Sequence, residues 1–395
     1  ILNSIMGTAD TMMVSNVGSA ALSAVSLVDS INILLIQAFS ALAAGGAIVC
    51  AQYIGQKNYE KANMSARQVL FIITAISVAV SAVCLIFQKP LLRFIFGAVE
   101  ADVMRASETY FFFTALSFPF IAAYDSAASI FRAQENTKGP MTISMISNVM
   151  NIGGNAILIW VFHLGVAGAA LSTLASRIFC AVVVLYQLRK DRQPIVVRDY
   201  LKIRPDWSMI KRILGLGIPS GIENSMFQLG KLAIQSTVST LGTTAIAAQA
   251  MTNILENLNG IAAIGVGVGL MTIVGQCLGA GRKDEAVYYI KKLCVIAEAV
   301  IIASCLVVYI LARPVTIIGG MEKESAAMCI HMITWITIVK PLVWTMGFVP
   351  GYGLRAAGDV KFSMITSCCT MWSCRFCLCV FLIRVMGFGP MGVWI

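Results

Sequence analysis

The segment ILNSIMGTADTMMV (residues 1–14) opens the chain and decides how the rest of it is interpreted. It is apolar enough to lie within a membrane-spanning helix, yet it carries a carboxylate, Asp10. An acid at membrane depth costs about 2.5–3.5 kcal/mol on insertion scales. A chain keeps such a residue where it is neutralised, paired or bound to a cation, so Asp10 is the first candidate functional residue.

The composition of the chain points to a membrane protein as well. Of its 395 residues, 58% are hydrophobic and only 12% are charged, whereas soluble domains carry roughly 25% charged residues. A chain of this length and composition is expected to cross the membrane many times, with room for about twelve helices. The net charge of +10 fits basic cytoplasmic loops better than a nucleic-acid partner.

Apolar segments between short polar loops predict an all-α polytopic protein of twelve helices in two pseudo-symmetric six-helix lobes. The N-lobe is expected at residues 1–188 and the C-lobe at 213–395, joined by a basic cytoplasmic linker at 189–212. The first helix lacks its beginning and the twelfth most of its length, so the sequence is interpreted as a fragment. The ten complete spans are predicted at about 22–50, 69–87, 110–130, 141–162, 165–188, 213–240, 246–277, 293–311, 328–354 and 362–385.

The two halves repeat one another at a spacing of 223–224 residues. Residues 17–24 (VGSAALSA) match residues 241–248 (LGTTAIAA), and residues 52–55 (QYIG) match residues 276–279 (QCLG). Each half holds an even number of spans, so the repeats run parallel and their pseudo-two-fold axis lies along the membrane normal. Two such bundles are a usual frame for alternating access.

The distribution of basic residues predicts the orientation. Nineteen Lys and Arg residues lie in the loops that follow even-numbered spans, and six lie in the opposite loops. Cytoplasmic loops carry the excess of positive charge. We therefore expect the basic linker and both termini to face the cytoplasm, in the plasma (cell inner) membrane.

Motifs of nucleotide-driven or catalytic proteins are absent from the sequence. No G-x-x-x-x-G-K-[ST], G-x-S-x-G or H-E-x-x-H occurs, so the chain supplies neither a P-loop nor these catalytic sites. The pair Cys374 and Cys377 lies inside a predicted span without a second pair, and the chain has only two His. We interpret the thiols as apolar packing residues and expect no enzyme and no cofactor.

Polar side chains within the predicted spans of the N-lobe form the main candidate site. Asn151 and Asn155 are four residues apart on the fifth span, so they lie on one helix face, and Thr173 lies on the sixth span. A carboxylate with amide and hydroxyl oxygens suits Na⁺, or a carboxyl that gains and loses a proton. Asp10, Asn151, Asn155 and Thr173 are therefore the predicted coupling site, with Na⁺ or H⁺ as the ion. The alternative for the Asn residues, and for Asn148 above all, is hydrogen bonding between helices.

Further ionisable and amide side chains are candidates for a substrate cavity. Glu223 and Lys231 are eight residues apart on one face of the seventh span, so they are expected either to form a structural pair or to contact substrate. Asp29, Asp125 and Arg375 are expected to pair with nearby groups of opposite charge or, for the acids, to be solvated at helix ends. Pro119 is expected to kink its span. The cavity candidates are Gln37, Asn148, Glu223, Gln228, Lys231 and Glu256.

Several motifs together resemble the multidrug and toxic compound extrusion (MATE) family of the multidrug/oligosaccharidyl-lipid/polysaccharide exporter superfamily. The resemblance covers essentially the whole chain. The motifs that carry it are Ala9-Asp10-Thr11-Met12-Met13-Val14, Gln52-Tyr53-Ile54-Gly55, Phe131-Arg132-Ala133-Gln134, Thr137-Lys138-Gly139-Pro140, Asn151 with Asn155, Gly165-Val166-Ala167-Gly168, Gly217-Ile218-Pro219 and Leu354-Arg355-Ala356-Ala357-Gly358-Asp359.

The resemblance implies a secondary active antiporter that exports cationic or amphiphilic drugs in exchange for H⁺ or Na⁺. It implies a cation site made of an acid on the first helix, two polar residues one turn apart on the fifth and a Thr on the sixth, at Asp10, Asn151, Asn155 and Thr173. Some members carry an acid at the position of Asn155, which leaves the choice between Na⁺ and H⁺ open here. In the C-lobe, Phe227 stands where one branch of the family has an acid.

Other functions remain as alternatives at this stage. A lipid or lipid-linked oligosaccharide flippase shares the two-lobed architecture and would favour a strongly cationic cavity. An intramembrane enzyme would need converging His, Ser or acid groups, and a passive channel would need no ion gradient. The expected partners are a small organic cation or amphiphile and the lipid bilayer, with no nucleic acid, and the expected oligomeric state is a monomer.

Overall fold

The computed structural model describes residues 10, 12–14, 16–97, 99–190 and 193–395. Every regular element in this part of the chain is helical. The predicted first span falls mostly on residues 1–9, 11 and 15, which lie outside the described residues. Thirteen α-helices are described: α1 Ser19–Gly55, α2 Tyr59–Ile86, α3 Gln88–Phe96, α4 Ala101–Leu116, α5 Phe118–Ala133, α6 Lys138–Asn155, α7 Val166–Leu188, α8 Trp207–Ser239, α9 Thr243–Gly279, α10 Lys283–Ile318, α11 Lys323–Ala356, α12 Val360–Cys369 and α13 Cys377–Arg384.

Most of these helices are long and apolar enough to cross a membrane. Of the described helices, six meet this condition as single α-helices, two more spans continue through a π turn (Lys138–Val161 and Val360–Arg384), and α4 with α5 forms a ninth span bent by 42°. The bend lies at Ser117, and Pro119 follows at the second residue of α5, so the predicted kink is confirmed. The prediction of an all-α, multi-pass membrane protein is also confirmed.

Two helices continue through π-helical turns. The turn Ala156–Val161 follows α6, and the turn Thr370–Phe376 joins α12 to α13. Each backbone hydrogen bond of a π turn joins residues five positions apart, whereas in an α-helix the bonded residues are four positions apart. Such turns occur frequently at functional sites. Asn155 immediately precedes the first turn and Arg375 lies within the second. Both turns therefore place a polar residue at a local irregularity of a membrane-spanning helix.

The chain divides into two compact units, Ile1–Gly221 and Ile222–Ile395. The lobe limits predicted at residues 188 and 213 remain predictions. In the first unit, the rings of Phe111, Phe118 and Phe131 are fully buried in one hydrophobic core. Helix α1 also touches the start of α8, where a Cβ on Gly45 would lie 2.6 Å from the backbone nitrogen of Gly217. Small residues of this kind let membrane helices approach closely.

Hydrogen bonds from side chains of α2 hold the basic linker in place. Gln68 donates to the carbonyl of Arg204 at 2.8 Å and accepts from the backbone N–H of Asp206 at 3.1 Å. Asp206 precedes α8 and accepts from the hydroxyl of Ser208 at 2.8 Å, which holds the pKa of Asp206 below its usual range. The side chain of Asn63 binds the backbone of Val196 at 2.8 Å. These contacts fix the path of the chain into α8.

In the second unit, three helices enclose an apolar core. Leu255 of α9, Val308 of α10 and Ile333 of α11 are buried together. The 3-10 turn Gly389–Val393 follows α13. Next to it, the indole N–H of Trp394 donates to Gln249 Oε1 at 3.0 Å. This bond ties the end of the described chain to α9.

Candidate functional site

Asp10 lies in a short helical stretch whose described residues are 10 and 12–14. Its side chain is partly buried, and the Asn151 side chain is its hydrogen-bond partner. The second carboxylate oxygen, Oδ1, is buried without a partner among the described residues. A buried acceptor left unpaired costs about 1–3 kcal/mol. The carboxylate therefore has a free ligand position on the side away from Asn151.

Asn155 is the most deeply buried polar residue of α6, the helix that also carries Asn151. It is fully buried, and neither Oδ1 nor Nδ2 has a hydrogen-bond partner among the described residues. Buried side-chain amides almost always find partners. An orphaned amide one helical turn from Asn151 is therefore a candidate ligand for a bound water or ion.

Asn151 connects α6 to α7 through Ser172. The Ser172 hydroxyl lies 3.0 Å from Asn151 Oδ1 and 2.8 Å from the Asn151 carbonyl oxygen. The two helices can approach this closely because Gly154 faces Ser172, and a Cβ on Gly154 would come within 2.5 Å of Ser172 Oγ. Ser172 thus holds the amide that contacts Asp10.

The other N-lobe candidates lie in different surroundings. The Thr173 hydroxyl donates to the carbonyl of Ala169 on its own helix at 3.0 Å, as hydroxyls in helices often do. In this structure Ser172, the preceding residue, binds Asn151. Asn148 lies one turn before Asn151 on the part of α6 that leads to the site, and Gln37 lies on α1; both are partly buried.

A second polar group lies beside Asp10 and surrounds Asp29, for which the sequence predicts a basic partner or a solvated position at a helix end. Asp29 Oδ1 accepts from the Tyr110 hydroxyl at 3.1 Å and from Asn32 Nδ2 at 3.4 Å. The Arg177 guanidinium donates to Ser117 Oγ at 2.5 Å, and its charge acts on Asp10 and Asp29. Asp29 is thus held by hydrogen bonds inside the unit rather than solvated at a helix end.

The remaining acid of this region is Asp125 on α5. The charges of Arg132 and Arg177 act on it, as the sequence analysis expected of a nearby base. With Asp10 and Asp29 it makes three carboxyl groups on which the charge of Arg177 acts. These three acids outnumber Arg132 and Arg177, the two bases that act on them, so this region favours a positive ligand.

The donor set restricts which cation could bind. Among the described residues, no group of three or more His, Cys, Asp or Glu side chains could hold a metal ion. A site at Asp10 would draw its other ligands from amide and hydroxyl oxygens, which suit a hard monovalent cation or a proton. The identity of the ion remains a prediction.

In the second unit, the predicted pairing of Glu223 with Lys231 is wrong. Glu223 Oε1 accepts from Arg355 Nη2 at 2.6 Å and from the Ser367 hydroxyl at 2.7 Å, and Ser363 lies 3.4 Å from Oε2. The partner was missed because Arg355 is 132 residues away in sequence. A charged side chain can pair with a residue on its own helix or with one on a neighbouring helix. The spacing of residues along one helix does not reveal partners of the second kind.

Glu256 also has a partner that spacing does not predict. It binds Lys340 of α11 at 2.7 Å. Lys231, on α8, is exposed, and Gln228 on the same helix is partly buried. Arg375 was expected to pair with an acid or backbone carbonyls. Within the described residues, no carboxylate lies within salt-bridge distance of Arg375, which instead lies 5.8 Å from the centre of the Phe227 ring.

Comparisons with known proteins agree with this architecture. A family model described as MatE matches residues 1–157 and 219–381. The uncharacterized transporter YisQ of Bacillus subtilis is 25% identical over 395 residues, which cover 99% of this chain and 86% of YisQ. The probable multidrug resistance protein NorM of Thermotoga maritima is 24% identical over 405 residues, covering 100% of this chain and 85% of NorM. A multidrug resistance MATE family transporter solved in an outward-facing conformation has the same fold, with a TM-score of 0.92 at 19% identity over 100% of this chain and 87% of that one.

Proposed function

The chain belongs to the MatE family, whose members are transporters and not enzymes, and from that premise we propose that it is a secondary active antiporter. It exports amphiphilic small molecules, organic cations among them, in exchange for H⁺ or Na⁺. Asp10, Asn151 and Asn155 form the coupling site, with Thr173 beside it on α7. No cofactor takes part, and the energy comes from the ion gradient.

The observation that carries this proposal is the set of unsatisfied polar atoms at the site. Asp10 Oδ1 and both polar atoms of Asn155 are buried without hydrogen-bond partners in the part of the chain that the structure describes. An ion or proton there would neutralise a carboxylate that is expensive inside a membrane. A ligand that binds one conformation better than another shifts the population towards it. Ion entry at Asp10 would thus favour one arrangement of the transporter, and substrate the other.

The available driving force is sufficient for useful export. Moving one elementary charge through 100 mV supplies about 2.3 kcal/mol. This corresponds to a concentration ratio of roughly 50-fold for the exported compound. One coupled ion per cycle would sustain this ratio for a neutral compound. Exchange of one ion for one monovalent organic cation moves no net charge and is driven by the concentration gradient of the ion alone.

The test replaces Asp10 with Asn and measures uptake of rhodamine 6G into everted membrane vesicles. Uptake is driven by a Na⁺ gradient alone in one arm and by a pH gradient alone in the other. We expect Asp10→Asn to lower gradient-driven uptake at least tenfold in the arm that drives the wild type. Asp102→Asn, which changes an acid whose side chain is 79% exposed, should transport like the wild type. Retained ion-driven uptake in Asp10→Asn would overturn the proposal.

We also propose that the protein is a monomer in the plasma membrane with both termini in the cytoplasm. The excess of basic residues in one set of loops supports this orientation. An epitope inserted in the 189–212 linker should bind antibody only after the cells are opened. Binding on intact cells would contradict the orientation.

A further inference from the structure

The second unit brings three basic side chains and one acid together from four different helical elements. Lys231 lies on α8, Glu256 on α9, Lys340 on α11 and Arg375 in the π turn that follows α12. The charges of Glu256, Arg375 and Lys340 all act on Lys231, and the charge of Glu256 acts on Arg375. The fold thus brings together bases that lie up to 144 residues apart in the sequence.

Only one of the three bases is neutralised within this cluster. Lys340 is 6% exposed and binds Glu256 at 2.7 Å. Among the described residues, no carboxylate lies within 4.0 Å of the basic nitrogens of Lys231 or Arg375. The nearby acid Glu298 acts on Cys305 and is not among the charges that act on Lys231. The cluster therefore carries a net positive charge.

Aromatic rings form a continuous wall beside these charges. Phe227 lies 5.1 Å from Lys231 Nζ and 5.8 Å from Arg375 Cζ, measured to the ring centre. Its ring meets Phe348 edge-on at 6.3 Å, and Phe348 stacks on Trp344 at 5.0 Å. Cation–π contacts stabilise each cation. They do not remove the charge, so an anion placed there would still be attracted.

The exposure of these groups shows that the cluster is open to a ligand. Lys231 and Phe348 are exposed, and Phe227, Trp344 and Arg375 are partly buried. An ionised side chain within a membrane-spanning helix faces a cavity or a partner rather than lipid tails, because burial in hydrocarbon is too expensive. Lys231 has no carboxylate partner within 4.0 Å among the described residues, so its charge is expected to face a polar cavity or a ligand.

We infer that this cluster is a binding site for the anionic group of an aromatic amphiphile, with Lys231 and Arg375 holding a carboxylate, sulfonate or phosphate and the Phe227–Phe348–Trp344 wall stacking on its ring. The inference deepens the proposed function by naming a substrate class. The first unit is acidic and accepts cations, whereas this site selects negative charge. Compounds that carry an anionic group then become substrates alongside organic cations.

The experiment compares two dyes with one ring system and opposite charge. Binding of fluorescein (anionic) and rhodamine 6G (cationic) to the full chain in phosphatidylcholine nanodiscs is measured by fluorescence anisotropy without any ion gradient. We expect Lys231→Gln combined with Arg375→Gln to weaken fluorescein binding at least tenfold and to leave rhodamine 6G binding unchanged or tighter. Lys291→Gln, an exposed lysine on α10 outside the cluster, is the matched control and should bind both dyes normally. Equal fluorescein affinity in the wild type and the double variant would overturn the inference, as would no fluorescein binding by the wild type.

Two further arms identify the source of the anion and separate this inference from ion coupling. Phosphatidylglycerol added to the nanodiscs should compete with fluorescein only if the site takes lipid headgroups, which is the chemistry that the flippase alternative requires. A soluble anion is the source if there is no competition. Asp10→Asn should bind fluorescein like the wild type even if coupling is lost, because Asp10 lies in the other unit. The double variant is expected to fold, since it removes two uncompensated charges, and an unchanged or raised Tm checks this.

Discussion

The ion pair between Glu223 and Arg355 should be a principal source of stability in the second unit. Its atoms are 2.6 Å apart, and the side chains of Glu223 and Arg355 are only 8% and 19% exposed, respectively. Removing one member of a buried pair costs about 3–5 kcal/mol, because the other charge is left without compensation. We expect Glu223→Gln to cost about 3 kcal/mol, at the lower end of this range, since Arg355 lies in the last turn of α11, where the helix dipole favours a cation.

Replacing Arg355, the other member of the pair, should cost more stability. Arg355→Met leaves the Glu223 carboxylate with only the Ser363 and Ser367 hydroxyls, and about 4 kcal/mol should be lost. The double variant should cost less than the two single changes combined, because neither charge then remains unpaired. At roughly 2–4 °C per kcal/mol for a domain of 150–250 residues, the single changes should lower the Tm by about 6–16 °C.

Thermal unfolding in detergent, followed by intrinsic fluorescence, measures these shifts. Glu324→Gln serves as the control, since Glu324 is an exposed acid in the first turn of the same helix. If Glu223→Gln and Arg355→Met each change the Tm no more than this control does, the pair contributes nothing and the reasoning from burial is refuted. Additive single effects would refute the coupling between the two residues.

Two close helix contacts in the first unit give further predictions, each with a glycine control on one of the two helices in contact. Gly45→Ala should destabilise the unit by about 2–3 kcal/mol or more, because the added methyl would lie 2.6 Å from the backbone of Gly217, which cannot rotate away. Gly154→Ala should cost about 1–2 kcal/mol and weaken gradient-driven uptake, because its methyl would displace the Ser172 hydroxyl that holds Asn151. Gly215→Ala on α8 and Gly153→Ala on α6 meet no atom within 4 Å and should leave the Tm unchanged or raise it slightly, because Ala favours the helix over Gly. Equal melting of either test variant and its control would contradict the corresponding contact.

The sequence predicts much of this fold because hydrophobic length and loop charge are local properties. The bend at Ser117 follows from Pro119 two residues later, and the span limits follow from runs of apolar residues. Asp10 stands out because a lone acid in an apolar segment needs no structural information to be noticed. Features of one helix are thus accessible without the coordinates of its neighbours.

The sequence does not predict in the same way which side chains of different helices contact one another. Glu223 was considered with Lys231 on its own helix, whereas it binds Arg355 of another helix. Ser172 was passed over for the adjacent Thr173, although Gly154 and its neighbours hint at a close helix crossing. Which of two adjacent hydroxyls faces the next helix depends on a rotation of about 100° per residue, and the sequence does not set that angle.

The π turn Thr370–Phe376 changes how the direction of a side chain around the helix axis depends on the number of residues before it. Such a turn accommodates one residue more than an α-helix does. Losing a single residue there would return the segment to α-helical winding and leave the later side chains facing the same neighbours, because the π turn has already absorbed the extra residue. Losing a residue from an α-helical part of the same helix would instead swing all later side chains by about 100° around the axis. A one-residue gap between aligned chains therefore preserves the facing of the later side chains only if it falls within the π turn.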